Sequence, residues 1–73
     1  MNFHVLVVDD EKNIREGLKA SLEMDDYTVY LAEDGKQGWN MVNNRDIDLV
    51  IADLKMPGIS GEELLKRITS SYP

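Results

Sequence analysis

Apolar and polar residues fall in blocks along this chain. Phe3-His4-Val5-Leu6-Val7-Val8 is a short, β-branched apolar run that stops at Asp9-Asp10, the pattern of a strand covered on both faces of a parallel sheet. From Glu11 the period lengthens. Ile14, Leu18 and Leu22 recur at i, i+4 and i+8 while Lys12, Arg15, Glu16, Lys19 and Glu23 fill other positions, which predicts an amphipathic helix ending near Met24. Gly17 weakens that helix by about 1 kcal/mol relative to Ala, so close packing is expected there. Asp25-Asp26 then marks a turn.

Thr28-Val29-Tyr30-Leu31-Ala32 is β-prone with polar flanks, as an edge strand would be. Asp34, with Gln37 three residues on, is an N-cap signature for a second helix carrying Trp39, Met41 and Val42 and ending at Asn43-Asn44. Leu49-Val50-Ile51-Ala52 is another continuous apolar run, and it too ends in an acid, Asp53. Met56-Pro57-Gly58 breaks regular structure, and Ser60-Gly61-Glu62-Glu63 is a capping box leading into Leu64, Leu65 and Ile68 of a third helix.

The order βαβαβα predicts an α/β fold with a parallel sheet. Right-handed crossovers leave two simple strand orders, 1-2-3 and 2-1-3, and the two-sided apolarity of the first strand favours the second. Asp9-Asp10 and Asp53 then lie at the C-terminal ends of neighbouring strands, flanking the topological switch point where open α/β sheets bind ligands.

Composition narrows the chemistry. Eight basic against fourteen acidic residues give a net charge of −6, and the longest basic cluster is Lys66-Arg67, which speaks against direct nucleic-acid binding. The acid is concentrated before Gln37. No apolar run approaches a membrane span, and the N-terminus lacks the form of a signal peptide, so a soluble, unprocessed, cytoplasmic chain is expected. Cysteine is absent, which removes disulfides and thiolate zinc sites. Seventy-three residues allow one small domain or a piece of a larger one.

Three carboxylates expected to converge in one crevice would repel one another unless a cation bound, and an all-oxygen set without His or Cys suits Mg²⁺. Asp9 or Asp10 taken singly is equally accounted for as the N-cap of the first helix. Asp53 has no capping role, because Leu54-Lys55-Met56-Pro57-Gly58 follows it.

Val7-Val8-Asp9-Asp10-Glu11, Ala32-Glu33-Asp34-Gly35 and Asp53-Leu54-Lys55-Met56-Pro57-Gly58 with Gly61 together resemble the receiver domain of two-component response regulators. The stretch from Asp53 through Leu65 most resembles receivers of the nitrogen-regulatory, enhancer-binding class. The resemblance implies a flavodoxin-like, doubly wound parallel sheet, of which residues 1–73 carry the first three βα units and lack the last two. It also implies that Asp53 is the phosphoacceptor, that Asp10 and Asp53 bind Mg²⁺ directly, that Asp9 holds the ion largely through water, and that the Lys55 main-chain carbonyl is a further ligand. A sensor histidine kinase would be the phosphodonor, and a DNA-binding output domain would belong to the parent protein. The Ser or Thr and the Lys that the family places at the ends of its fourth and fifth strands have no counterpart here, and neither Lys12 nor Lys55 matches the missing Lys.

Two other readings compete. One is a truncated or pseudo-receiver acting only as a protein-interaction module. The other, a phosphohydrolase with an aspartyl nucleophile, wants an acid two residues after Asp53, where Lys55 stands. His4 lies at the opposite end of its strand from the acids and reads as structural, Trp39 as a packing residue, and Lys66-Arg67 as a solvated helix face. The glycines form no nucleotide-binding motif. With only three strands, the third strand becomes an edge and part of the face of Phe3, Val5 and Val7 is expected to be exposed, favouring self-association through the third strand.

Overall fold

A computed structural model describes residues 3–53, 58 and 60–71. The elements are β1 (His4–Val8), α1 (Lys12–Met24), β2 (Thr28–Ala32), α2 (Gly35–Asn44), β3 (Leu49–Ala52) and α3 (Gly61–Ser71). The sheet is parallel in the order β2-β1-β3, with Val8 opposite Ala32 on one side and Ala52 on the other. The expected 2-1-3 order is therefore the observed one. Because the chain steps one way from β1 to β2 and back across β1 to β3, right-handed crossovers put α1 on one face and α2 on the other.

Alternation along β1 divides the core between those faces. Leu6 and Val8 join Ala32 and Leu64 in a buried cluster, against which Trp39, Met41 and Val42 of α2 and Ile68 of α3 pack. Trp39 is thus a packing residue. Val5 and Val7 point to the opposite face and are also fully buried, so of the face expected to be partly exposed only Phe3, at 41%, is so. The exposed apolar groups are peripheral instead: Phe3, Ile14 (49%), Leu49 (46%) and Leu65 among them.

Local chemistry sets the helix ends. α1 closes in a Schellman motif: the Tyr27 amide donates to Leu22 O at 3.3 Å and the Asp26 amide to Glu23 O at 3.1 Å, with Asp26 left-handed at φ 65. At α2 the Asp34 carboxylate accepts from the Gln37 amide at 2.8 Å, while the Gln37 side chain accepts from the Glu33 amide at 3.1 Å. Ser60 Oγ accepts from the Glu63 amide at 3.2 Å ahead of α3. Glu63 itself turns to Arg67, 3.6 Å away, and Lys66 lies 3.7 Å from Glu62, so both basic residues sit on a solvated helix face.

The glycine that needs close packing is Gly38, not Gly17. A Cβ at Gly38 would lie 2.9 Å from Val8 Cγ2 and 3.1 Å from Leu64 Cδ2, whereas nothing lies within 4 Å of one at Gly17. Gly17→Ala is expected to raise stability by about 1 kcal/mol through helix propensity alone. Gly38→Ala should lose about 1–3 kcal/mol, because the β-branched Val8 cannot move out of the way. Thermal melts of the two variants, shifted in opposite directions by roughly 4–8 °C per kcal/mol, check this.

Candidate functional site

The acids come together at the C-terminal edge of the sheet. β1 and β3 are in register through Val8 and Ala52, and the pairing runs one step further, the Asp53 amide donating to Val8 O at 2.9 Å. On the other side the Asp9 amide donates to Ala32 O at 3.1 Å. The backbones of Asp9 and Asp53 are thus held by sheet bonds up to the residues that carry the carboxylates. One carboxylate oxygen from each of Asp9, Asp10 and Asp53 lies within 4.8 Å of the others, with Asp9 and Asp53 partly buried and Asp10 exposed.

The capping alternative for Asp9 and Asp10 does not hold. Glu11 is the N-cap of α1, its carboxylate accepting from the Asn13 amide at 3.3 Å. Asp9 Oδ1 accepts from the Glu11 amide at 2.9 Å, a two-residue turn at the passage from strand to helix. The donor set is three carboxylates, hard anionic oxygens of the kind Mg²⁺ takes, and the cluster fits such a cation. Lys55, whose carbonyl the resemblance adds to that set, lies outside the described residues, as do Leu54, Met56 and Pro57. Gly58 is described, at φ 74, a left-handed conformation that favours glycine.

Arg15 is the site feature that periodicity misplaced. Reading Ile14, Leu18 and Leu22 as the buried stripe sends Arg15 to solvent, yet Ile14 is the exposed residue and Arg15 is buried. Positions 15, 18 and 22 also satisfy helical spacing, at i, i+3 and i+7, and the fold selects that stripe. Arg15 Nη1 donates to the Asp9 carbonyl at 2.8 Å, and Nη2 lies 3.8 Å from Glu33 Oε1. A charged side chain can be buried here because a carbonyl beyond the end of the ladder needs a donor.

The other singled-out residues lie away from the acids. His4 Nδ1 donates to the Asp46 carbonyl at 2.7 Å, and the ring meets Tyr30 edge-on at 5.9 Å. These bonds tie the start of β1 to the α2–β3 connection, a structural role. A groove with Ile47, Leu49, Val50, Leu65 and Ile68 on its apolar side and Arg45, Asp46 and Asp48 on its charged side lies at the start of β3, the end away from Asp9, Asp10 and Asp53. Among the described residues no helix is long and apolar enough to cross a membrane.

Residues 5–73 match the family described as response regulator receiver domain. The response regulator GtcR of Aneurinibacillus migulanus is 42% identical over 72 residues, covering 99% of this chain and 30% of the relative. The transcriptional regulatory protein YrkP of Bacillus subtilis is 44% identical over 71 residues, covering 97% and 30%. Among solved structures, the response regulator TrrA of Thermotoga maritima in complex with Mg²⁺ and BeF superposes with a TM-score of 0.93 at 43% identity, over 96% of this chain and 61% of that one. The receiver domain of an HD-domain protein from Pseudomonas fluorescens gives 0.94 at 33% identity, over 100% and 58%. The chain spans about a third of the length of the curated relatives it matches. With a matching family, a parallel 2-1-3 sheet and three clustered acids at its switch point, this chain belongs to the receiver domains of two-component response regulators, a family of signalling modules.

Proposed function

We propose that Asp53 is the phosphoacceptor of this receiver, taking a phosphoryl group from the phosphohistidine of a sensor histidine kinase, with Mg²⁺ held by Asp9, Asp10 and Asp53 and by the main-chain carbonyl of Lys55. The observation that carries this reading is the convergence of three carboxylates, from two adjacent strand ends, within 4.8 Å. Sheet bonds hold the backbones of Asp9 and Asp53 before any ligand arrives, which lowers the conformational entropy lost on binding.

In the transfer, an Asp53 carboxylate oxygen forms the new bond to phosphorus while the P–N bond of the phosphohistidine breaks and its electron pair returns to the imidazole. When bound, Mg²⁺ neutralises the charge that would otherwise keep the carboxylate and the phosphoryl oxygens apart. Asp9 and Asp10 supply the remaining negative charge that retains the cation. The parent protein is read as a cytoplasmic regulator composed of residues 1–73 as the first three βα units, the rest of the receiver, and a DNA-binding output domain. A second reading is an interaction module that associates through β3, which is an edge of the described sheet and begins at the exposed Leu49.

Incubation of a receiver carrying all five βα units with phosphoramidate and Mg²⁺ is expected to place one phosphoryl group on Asp53, lost in alkali or hydroxylamine as an acyl phosphate is. Asp53→Asn should abolish it. Label retained in that variant, or mapped to His4, would overturn the assignment. The 73-residue chain by itself should hold little stable label.

A further inference from the structure

We infer that Arg15 is a positioning residue for the acid cluster, setting the direction of Asp10 and tying the β1–α1 corner to the β2–α2 corner. The inference rests on the cation-binding reading of the three carboxylates. Arg15 is the one charged residue among those described that is buried, at 9% exposure. Its guanidinium donates to Asp9 O at 2.8 Å, and this carbonyl belongs to the peptide unit whose nitrogen is that of Asp10. Two further groups of Asp9 are held: its amide by Ala32 O at 3.1 Å and its Oδ1 by the Glu11 amide at 2.9 Å. The Arg15 bond adds a restraint on the peptide plane from which Asp10 projects.

The same side chain reaches the second corner. Nη2 lies 3.8 Å from Glu33 Oε1, and Asp10, Arg15, Glu33 and Asp34 line one recess beside the acids. Glu33 is 68% exposed, so this ion pair is screened by water and orients the guanidinium more than it stabilises the fold. The planar fork of Arg allows one nitrogen to meet the carbonyl while the other faces the carboxylate; the single ammonium of Lys cannot hold both arrangements. Groups that orient metal ligands without touching the metal typically change affinity by roughly 10–100-fold when removed.

Mg²⁺ binding to the 73-residue chain, measured by calorimetry and by the dependence of melting temperature on Mg²⁺ concentration, tests the inference. Arg15→Met is expected to weaken Mg²⁺ binding by about tenfold or more and to shrink the Mg²⁺-dependent rise in melting temperature. Arg15→Lys, which keeps the charge and a donor, is expected to fall between Arg15→Met and the unaltered chain. It keeps the test decisive if the Met variant does not fold. A purely structural role predicts a different signature, in which the melting temperature falls by the same amount at every Mg²⁺ concentration and the dissociation constant is unchanged. That result in either folded variant would overturn the positioning role. Absence of Mg²⁺ binding in the unaltered chain would overturn both this inference and the cation-binding reading beneath it, whereas binding that is equal in all three proteins overturns this inference alone.

Discussion

Dilution of the 73-residue chain is expected to lower its light-scattering mass from that of an associated form to that of a monomer. β3 bonds to β1 on one side, and among the described residues no strand pairs with its other edge. Leu49, at its start, is 46% exposed and lines a groove with Leu65 and Ile68. Such an edge offers unpaired backbone groups next to apolar side chains. Two copies related by a two-fold axis would pair their β3 strands antiparallel, each contributing the same patch. If roughly 400 Å² of apolar surface leaves water, the gross gain is about 10 kcal/mol at ~25 cal/mol per Å². Lost rigid-body freedom removes about 4–15 kcal/mol of that, so the expected dissociation constant is micromolar or weaker. The full burial of Val5 and Val7 limits the driving force to this periphery. Leu49→Lys, which sets a charge on the edge, should leave a monomer at concentrations where the unaltered chain associates. A monomer that melts cooperatively at every concentration tested would show that three βα units are self-sufficient.

Mg²⁺ should raise the melting temperature steeply at constant ionic strength. A ligand bound only by the folded state contributes RT ln(1 + [L]/Kd), about 2.7 kcal/mol at a hundredfold excess over Kd. For a domain of this size that corresponds to roughly 10–20 °C. Constant ionic strength matters because salt alone screens repulsion among three carboxylates. Asp10→Asn should remove most of the effect, since Asp10 is exposed and belongs to the cluster. Asp9→Asn should remove less: one Asp9 oxygen is already engaged by the Glu11 amide at 2.9 Å, and an Asn oxygen can keep that bond. No Mg²⁺-dependent change in the unaltered chain would count against a cation site formed by these acids.

Much of this architecture was legible from local patterns. Val5 to Val8 and Leu49 to Ala52 are continuous apolar runs ending in acids, and such runs have few homes outside a parallel sheet. Asp34 with Gln37 and Ser60 with Glu63 announced two helix starts, and in both the cap side chain accepts from the expected amide, although the Glu63 carboxylate pairs with Arg67. Handedness then left few ways to connect the elements, so the approach of Asp9 and Asp10 to Asp53 followed from chain order before any distance was known.

The misplacements share one cause, which is that helical spacing does not specify rotation. Ile14 and Arg15 are adjacent, each three or four residues from Leu18, and hydrophobicity alone assigns the inward position to Ile14. Only the assembled sheet brings the Asp9 carbonyl to where a buried guanidinium can satisfy it, and that bond goes with Arg15 facing inward. Glycine packing likewise depends on a neighbour from another element: Gly38 is required by Val8 and Leu64, and Gly17 by nothing in the described chain. What the sequence determined by itself was the order, type and handed connection of the elements, because these rest on interactions between near neighbours and on backbone chirality. What tertiary structure alone decided was which of two adjacent side chains turns inward, because that depends on a hydrogen-bond acceptor supplied by a different element.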